Sequence, residues 1–498
     1  MKKYVSLILV IFAFLPAYSQ NSDKVIANIL NEGINNNQVM SHVNILTNRF
    51  GGRLIGSAAY SDAMDWCEYM LKDMGLEVTR EIVGEVPIGF NRGPWFGRMI
   101  GGSNMNLHFT TPSYTSGTIG VQRGHVVKEP KTLQELNKIK STLKGAWVLI
   151  SGESNGWPID YSAKGDSTRA AIIHKNDNIR AISREKPLED APALFYKEMK
   201  EAGILGIIQS AKVPITTLYD RNNLMNMSFD SLPDLPDIKL DEDQYKEISH
   251  MVDRGEYFLL EFDIRNHFSM KPVAYDNLFA VIRGSEYPDE YVMVGGHLDS
   301  YDAATGGVDC CVGATVAIEV ARLLSTAGAK PKRSIMICLW AAEEYGLWGS
   351  KYFVETHKEM MPKISNYFNR DGGPTVPIGA TVSAAMYDDF VKISAPLQGI
   401  FPFNVKKSTR KPGPKPTTAG GSDHAYFAMN GVPTISFDQG EPTGSNFNYS
   451  EIWHTDRDLY NKMIPENQEN TSTITAVIAY GLANLDHLLD RTDLYLDE

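Results

Sequence analysis

Cysteine is scarce in this chain. Four Cys in 498 residues (Cys67, Cys310, Cys311 and Cys338) are too few and too unevenly spaced for a disulfide framework. A protein of this length stands on its hydrophobic core instead, even when exported. Positive charge is also short. The formal net charge of −12 removes any general electrostatic reason to bind nucleic acid or an anionic membrane. After residue 19 no stretch offers about 20 uninterrupted apolar residues, so no membrane-spanning helix is expected. Internal repeats and low-complexity tracts are absent, which excludes solenoids and disordered linkers.

What is present begins with a targeting signal. Lys2-Lys3, an apolar run from Tyr4 to Leu15 and then Ala17-Tyr18-Ser19 have the layout of a secretory signal peptide, residues 1–19. Its removal takes away two Lys and no acid, leaving 46 basic against 60 acidic residues, a net charge of about −14. A periplasmic or extracellular protein is expected.

Texture divides the rest into three stretches. Residues 20–113 combine helical periodicity, with Ser57 as a helix N-cap, a turn over 44–56, a strand over 76–86 and a Gly-, Pro- and Asn-rich junction over 90–113. Residues 114–266 are β-rich, with strands expected at 145–151, 203–208, 235–240 and 257–264 and a helix over 191–202. Residues 267–498 alternate strand and helix, ending in an amphipathic helix over 474–489. Such alternation implies right-handed crossovers, hence an α/β fold with a mostly parallel sheet sandwiched by helices. The β-rich stretch becomes an inserted module.

The chemistry sits at strand ends. His297, Glu343-Glu344 and Asp371 each sit just past the carboxyl end of an expected strand, at the sheet edge where open α/β folds bind ligands. Asp309 opens the following helix within Thr305-Gly-Gly-Val-Asp309, as a helix cap or as a carboxylate shared by two metals. Two late histidines compete for a further ligand position, His454 in Ile452-Trp-His-Thr-Asp456 and His424 in Gly420-Gly-Ser-Asp-His424. Two imidazoles and three carboxylates can hold two Zn2+ ions if one carboxylate is shared. Of the adjacent acids, Glu344 suits a ligand. Glu343 suits a general base on zinc-bound water, whose pKa drops to roughly 7. Asp299, two residues after His297, is expected to hold that ring's second nitrogen.

The motifs GGHLDS, GGVDCC, LWAAEE, NRDGG, GGSDHAYF and IWHTD resemble those of the co-catalytic zinc aminopeptidase family. The likeness extends over most of 40–90 and 270–490, the segment RFGGRLIGS included. It implies His297 and Asp371 on one zinc, Glu344 and His454 on the other, Asp309 between them and Glu343 as the base. It also implies a protease-associated domain in the 114–266 insert.

Two features depart from the family pattern. The residue after the bridging Asp, commonly Asp or Asn, is Cys310, followed by Cys311. They are either two small buried residues or a pair with a redox or metal-tuning role. A basic loop, Lys406 to Lys415 with Arg410 inside it, precedes Gly420. It is solvated surface, or it meets the carboxylate of a substrate together with Asp423 and His424.

The expected activity is that of a metallo-exopeptidase on short peptides, acting as an aminopeptidase or dipeptidase. The rivals are a carboxypeptidase for acidic peptides, a glutaminyl cyclase on the same fold, and a peptide-binding protein with an inactive peptidase fold. Oligomeric state stays open, a homodimer included.

Overall fold

The computed structural model describes residues 22–159, 166–182, 192–219, 224–441, 444–445 and 447–496. The expected signal segment, 1–19, lies outside the described residues.

The chain builds an α/β core around a five-stranded sheet. Its order is Glu77–Val86, Val273–Ile282, Arg333–Trp340, Tyr287–His297, Ile364–Asn369. The last three strands are mutually parallel, whereas the first two run antiparallel to their neighbours. The sheet is thus more mixed than the sequence pattern implies. Only residues 283–286 separate Val273–Ile282 from the next strand, and a parallel return needs a dozen or more.

Strand Arg333–Trp340 is buried throughout and apolar on both faces, as a central strand must be. Ile335, Ile337 and Leu339 face helices Cys311–Thr326 and Pro465–Ala483. Met336, Cys338 and Trp340 join a second cluster with Phe353 and Phe427, from helices Trp348–Thr356 and His424–Met429. The closing helix begins at Pro465, nine residues before the expected start. Its first turns bury Asn467, Gln468, Thr471 and Ser472 instead of presenting a polar face. Their amide nitrogens find main-chain acceptors in the folded core: Gln468 Nε2 donates to the Val312 carbonyl (3.0 Å), and Asn467 Nδ2 to that of Pro374 (3.0 Å).

A seven-stranded sheet lies apart from this core. Its order is Trp95–Ile100, Leu259–Ile264, Gln122–Lys128, Ala146–Ser154, Gly206–Ala211, Asp237–Asp241, Phe109–Thr110. The sheet therefore begins at Trp95, inside the segment expected to be a junction. Trp147 and Leu149 pack on one of its faces, Val148 and Ile150 on the other. The helix expected over 191–202 is shorter, Tyr196–Glu201, with residues 192–195 non-helical.

Nearer the amino terminus, Ser57 caps helix Ala58–Asp73 by accepting the Tyr60 amide (3.1 Å). The expected turn at 44 is still helical. Val39–Ile45 continues into a π turn, Leu46–Phe50, and ends only at Gly51, whose φ of 84° suits glycine.

Candidate metal centre

Parallel pairing aligns the carboxyl ends of three strands. His297 stands opposite Trp340, and Gly295 opposite Asn369, so the residues that follow converge on one edge. Close approach requires the glycines. A Cβ on Gly296 would lie 2.7 Å from the Arg370 carbonyl, and one on Gly313 2.0 Å from the same oxygen. Helix Cys311–Thr326 can therefore start against the strand end, with Asp309 beside His297.

His297 is wholly buried. Its Nδ1 lies 2.9 Å from the Asp299 backbone carbonyl, and its Nε2 lies 3.2 Å from Asp309 Oδ1, 3.5 Å from Asp371 Oδ1 and 4.0 Å from Glu343 Oε2. The second nitrogen is thus held by Asp299, as expected, but through the main chain. The Asp299 carboxylate, 3.7 Å from Nδ1, instead accepts the amides of Glu343 (3.2 Å) and Glu344 (3.3 Å). Its work is to pin the acidic turn after Trp340. Ala342 takes a positive φ of 57° in that turn.

Asp309 is not a helix cap. Cys310 occupies the cap position with no side-chain capping bond. Asp309 Oδ2 is 3.7 Å from His454 Nε2, so its two oxygens face two different imidazoles. His454 Nε2 also lies 3.0 Å from Glu344 Oε2. Between the late histidines, then, it is His454 that joins Asp309 and Glu344. His424 lines a neighbouring cavity of about 430 Å³ with Asn369, Asp371, Gly421, Ser422, Thr434 and Ser436.

The other expected substrate contacts sit elsewhere. Lys406 and Arg410 are exposed on and beyond Asn404–Lys407, an edge strand of a separate three-stranded sheet, and neither lines the cavity next to Asp371. Asp423 is fully buried, where no substrate reaches it.

Several supporting residues carry no sequence signal of their own. Asp458 accepts the amides of Val308 (2.6 Å) and Asp309 (3.2 Å), fixing the loop that presents Asp309. Its place four residues after His454 was the only available hint. Arg53, in the RFGGRLIGS segment, is wholly buried and donates to the carbonyls of Leu298 (2.8 Å), Thr305 (2.9 Å) and Gly306 (3.0 Å). A buried chain of hydrogen bonds ties strand ends to the 420–424 loop. Trp340 Nε1 donates to the Tyr367 hydroxyl (2.6 Å), that hydroxyl to Asn369 Oδ1 (2.6 Å), and Asn369 Nδ2 to Ser422 Oγ (2.9 Å).

The seven-stranded sheet's segment also reaches the centre. Thr216 bridges Thr455, the Ile215 amide donates to Asp456 Oδ1 (2.9 Å), and the Tyr219 hydroxyl to the Glu344 carbonyl (2.9 Å). His454, with φ of 58°, has its carbonyl 3.3 Å from the Thr217 amide. Left-handed backbone is costly for a non-glycine residue and persists only where neighbours impose it.

Crowded acids explain the electrostatics. Burial, then repulsion from nearby carboxylates, holds Glu343 and Glu344 well above the ordinary carboxylate range. Burial also pushes Asp423 and Asp458 up to about 7, and the Cys310 thiol up to about 12. His454 is lowered by burial, so its ring favours the neutral form that binds metals. Burial raises the Tyr449 phenol too, aided by Asp309 and Asp371, which keeps it a hydrogen-bond donor beside Gly372.

The donors fit a metal pair. His297 Nε2 and Glu344 Oε1 are buried and lack hydrogen-bond partners among the described residues. Ligand atoms of His297, Asp309 and Glu344 lie within 4.8 Å of one another, as do those of His297, Cys310 and Asp371. Nitrogen and carboxylate oxygen in this number suit zinc.

Comparison with known proteins agrees. The model of peptidase family M28 matches residues 277–479. Carboxypeptidase Q of Mus musculus is 25% identical over 365 residues, covering 69% of this chain and 73% of the relative. Carboxypeptidase Q of Rattus norvegicus is 28% identical over 340 residues, covering 67% of each. In fold, the chain is similar to a peptidase M28 precursor from Shewanella amazonensis (TM-score 0.57, 21% identity, 95% of this chain and 98% of that one). It is also similar to a zinc aminopeptidase from Bacillus subtilis (TM-score 0.52, 14% identity, 92% and 97%). With the buried histidine–carboxylate cluster at the sheet edge, these likenesses to peptidase family M28 and to carboxypeptidase Q indicate a zinc metallopeptidase.

Proposed function

We propose that the protein is an exported exopeptidase that uses two zinc ions to remove the amino-terminal residue of short peptides, dipeptides included. The observation that carries this reading is the position of Asp309, with one oxygen toward His297 and the other toward His454. His297 and Asp371 would hold one ion, Glu344 and His454 the other, and Asp309 both. Bound there, zinc supplies Lewis acidity and acidifies water.

The chain's own residues do the rest. Glu343 takes a proton from the attacking water and delivers it to the leaving nitrogen. Its position, 4.0 Å from His297 Nε2 and anchored through its amide to Asp299, supports that role. The Tyr449 phenol is available to the oxygen that gains charge as the carbonyl is attacked. The free amine of a substrate is drawn by the surplus of carboxylates, and the cavity lined by His424, Ser422 and Thr434 receives a neighbouring side chain. The insert, as a protease-associated domain, backs the His454 loop through Ile215 and Thr216. Export rests on the 1–19 signal.

Carboxypeptidase action on acidic peptides loses its support when Lys406 and Arg410 stand away from the cavity. The test is a panel of short peptides, some blocked at the amine and some at the carboxylate, given to zinc-loaded protein beside Glu343→Gln. Turnover that needs a free amine and dies in the variant, with zinc retained, upholds the reading. Trimming of amine-blocked peptides from the carboxyl end refutes it. Cyclisation of amino-terminal Gln with no peptide cleavage hands the case to a glutaminyl cyclase, and peptide binding without turnover to an inactive peptidase fold.

A further inference from the structure

We propose that Cys310 is itself a metal ligand, its thiolate completing the site formed by His297 and Asp371. The inference rests on the two-metal reading and adds to it a sulfur donor. Three observations carry it.

The first is distance. Cys310 Sγ, a nitrogen of His297 and an oxygen of Asp371 all lie within 4.8 Å of one another. Around a tetrahedral zinc, sulfur and nitrogen ligands stand about 3.5 Å apart, given bonds of about 2.3 and 2.0 Å. A small closing movement suffices.

The second is an unpartnered neighbour. His297 Nδ1 is engaged by the Asp299 carbonyl, while its buried Nε2 has no hydrogen-bond partner among the described residues. The Cys310 thiol is equally buried, and it donates a weak hydrogen bond to the Arg370 carbonyl at 3.4 Å. Breaking that bond costs little.

The third is placement. Cys310 stands at the N-cap of the sixteen-residue helix Cys311–Thr326, directly after Asp309 in the loop that meets His297. A Cβ on Gly313 would lie 3.0 Å from the sulfur, so that glycine leaves it room. Cys311 packs in the main hydrophobic core, away from this position. The two adjacent cysteines thus have different surroundings, and both are free.

On binding, the S–H bond breaks, its electron pair forms the sulfur–metal bond, and the proton leaves to solvent. No oxidant takes part. A thiolate shifts this half of the centre toward soft ions such as zinc and away from magnesium or manganese.

The experiment titrates Co2+ into metal-stripped full-length protein under anaerobic conditions, with Cys310→Ser, Cys310→Ala and Cys311→Ser in parallel. The expected result is a near-ultraviolet sulfur-to-cobalt charge-transfer band in the parent and in Cys311→Ser. Both Cys310 variants lose that band, and one of their two metal equivalents weakens by at least the roughly 10–100-fold typical of lost supporting contacts. Cobalt bound with visible d–d bands but no charge-transfer band in the parent overturns the proposal while leaving the two-metal reading intact. A band that survives in Cys310→Ser, or vanishes only in Cys311→Ser, overturns it as well. No cobalt binding at all removes the two-metal reading, and this proposal with it. Should the Cys310 variants fail to fold, a band kept in Cys311→Ser upholds the proposal and a band absent from the parent overturns it.

Discussion

Arg53 offers the sharpest test of how the centre is held. Its guanidinium is wholly buried and, among the described residues, is surrounded by main-chain carbonyls. Leu298, Gly51, Thr305 and Gly306 accept from it at 2.8–3.0 Å, and Leu46 at 3.3 Å. The Leu46 carbonyl also takes the Gly51 amide, so four carbonyls depend on Arg53. A buried acceptor left without a donor costs at least about 1 kcal/mol, so Arg53→Ala should destabilise by about 4 kcal/mol before any cavity cost. Arg53→Lys should recover less than half, because three donors on one nitrogen cannot span a planar fork. Urea unfolding of the metal-stripped protein measures this. Zinc affinity, by competition with a chelator, should fall in parallel, since Leu298 and Thr305–Gly306 flank His297 and Asp309. A loss below about 1 kcal/mol, or full rescue by Lys, would refute the reasoning.

Three further outcomes are expected. Glu343→Gln should lower kcat by about 10²–10⁴-fold while metal content, read by elemental analysis, stays unchanged. Asp299→Asn presents an amide donor where two backbone N–H groups now find acceptors. It should cost about 10–100-fold in metal affinity or activity with the His297 ring still held by the main chain. Asp423→Asn tests a buried charge. The folded pKa of about 7 lies above the ordinary carboxylate value, so the folded state keeps a proton that the unfolded state releases. Stability from this group is therefore full at pH 4 and falls as pH rises toward 7. The variant should raise the Tm of metal-stripped protein at pH 8, by up to about 4 kcal/mol in free energy, and leave it unchanged at pH 4. Equal Tm values for the two proteins at pH 8 would contradict the assignment.

Three of the candidate ligands, His297, Glu344 and Asp371, were legible because each stands at or just past the end of a strand whose pattern is strong. Tyr291–Gly296 and Ser334–Trp340 are mostly apolar, Ile364–Phe368 is shorter and mixed, and the groups after them are chemically conspicuous. What anchors those groups was not legible. Asp299 was assigned to an imidazole by proximity in sequence, yet its carboxylate went to amides of a turn 44 residues on, a choice made by the crossing of two loops. Strand Trp95–Ile100 hid in a segment rich in Gly, Pro and Asn because its partner, Leu259–Ile264, lies more than 150 residues away. Local propensity is silent on such pairing. The closing helix was misplaced for a related reason. Its first turns bury Asn, Gln, Thr and Ser against carbonyls that only the folded core supplies, so apolar periodicity begins late.

The two halves of the centre are supported unequally. His297 and Asp371 follow adjacent parallel strands, and Asn369 is tied through Tyr367 to Trp340, so the sheet itself fixes that pair. His454 belongs to a loop, held in left-handed backbone by contacts from outside the sheet. Thr216, Ile215 and Tyr219 come from the segment that follows strand Gly206–Ala211, and His108 joins them, with its Nε2 2.6 Å from Asp456 Oδ2. The Asp456 carboxylate thus takes both the Ile215 amide and the His108 imidazole, two residues after His454. Contacts from the seven-stranded sheet's segment thus reach His454 and, through the Tyr219 hydroxyl, the Glu344 carbonyl. Among the described residues, His297 and Asp371 have no such connection. A second sheet with its own core is therefore more than a cover over the site. Its segment backs His454 and Glu344, so the surroundings of Asp309 are built from both parts of the chain.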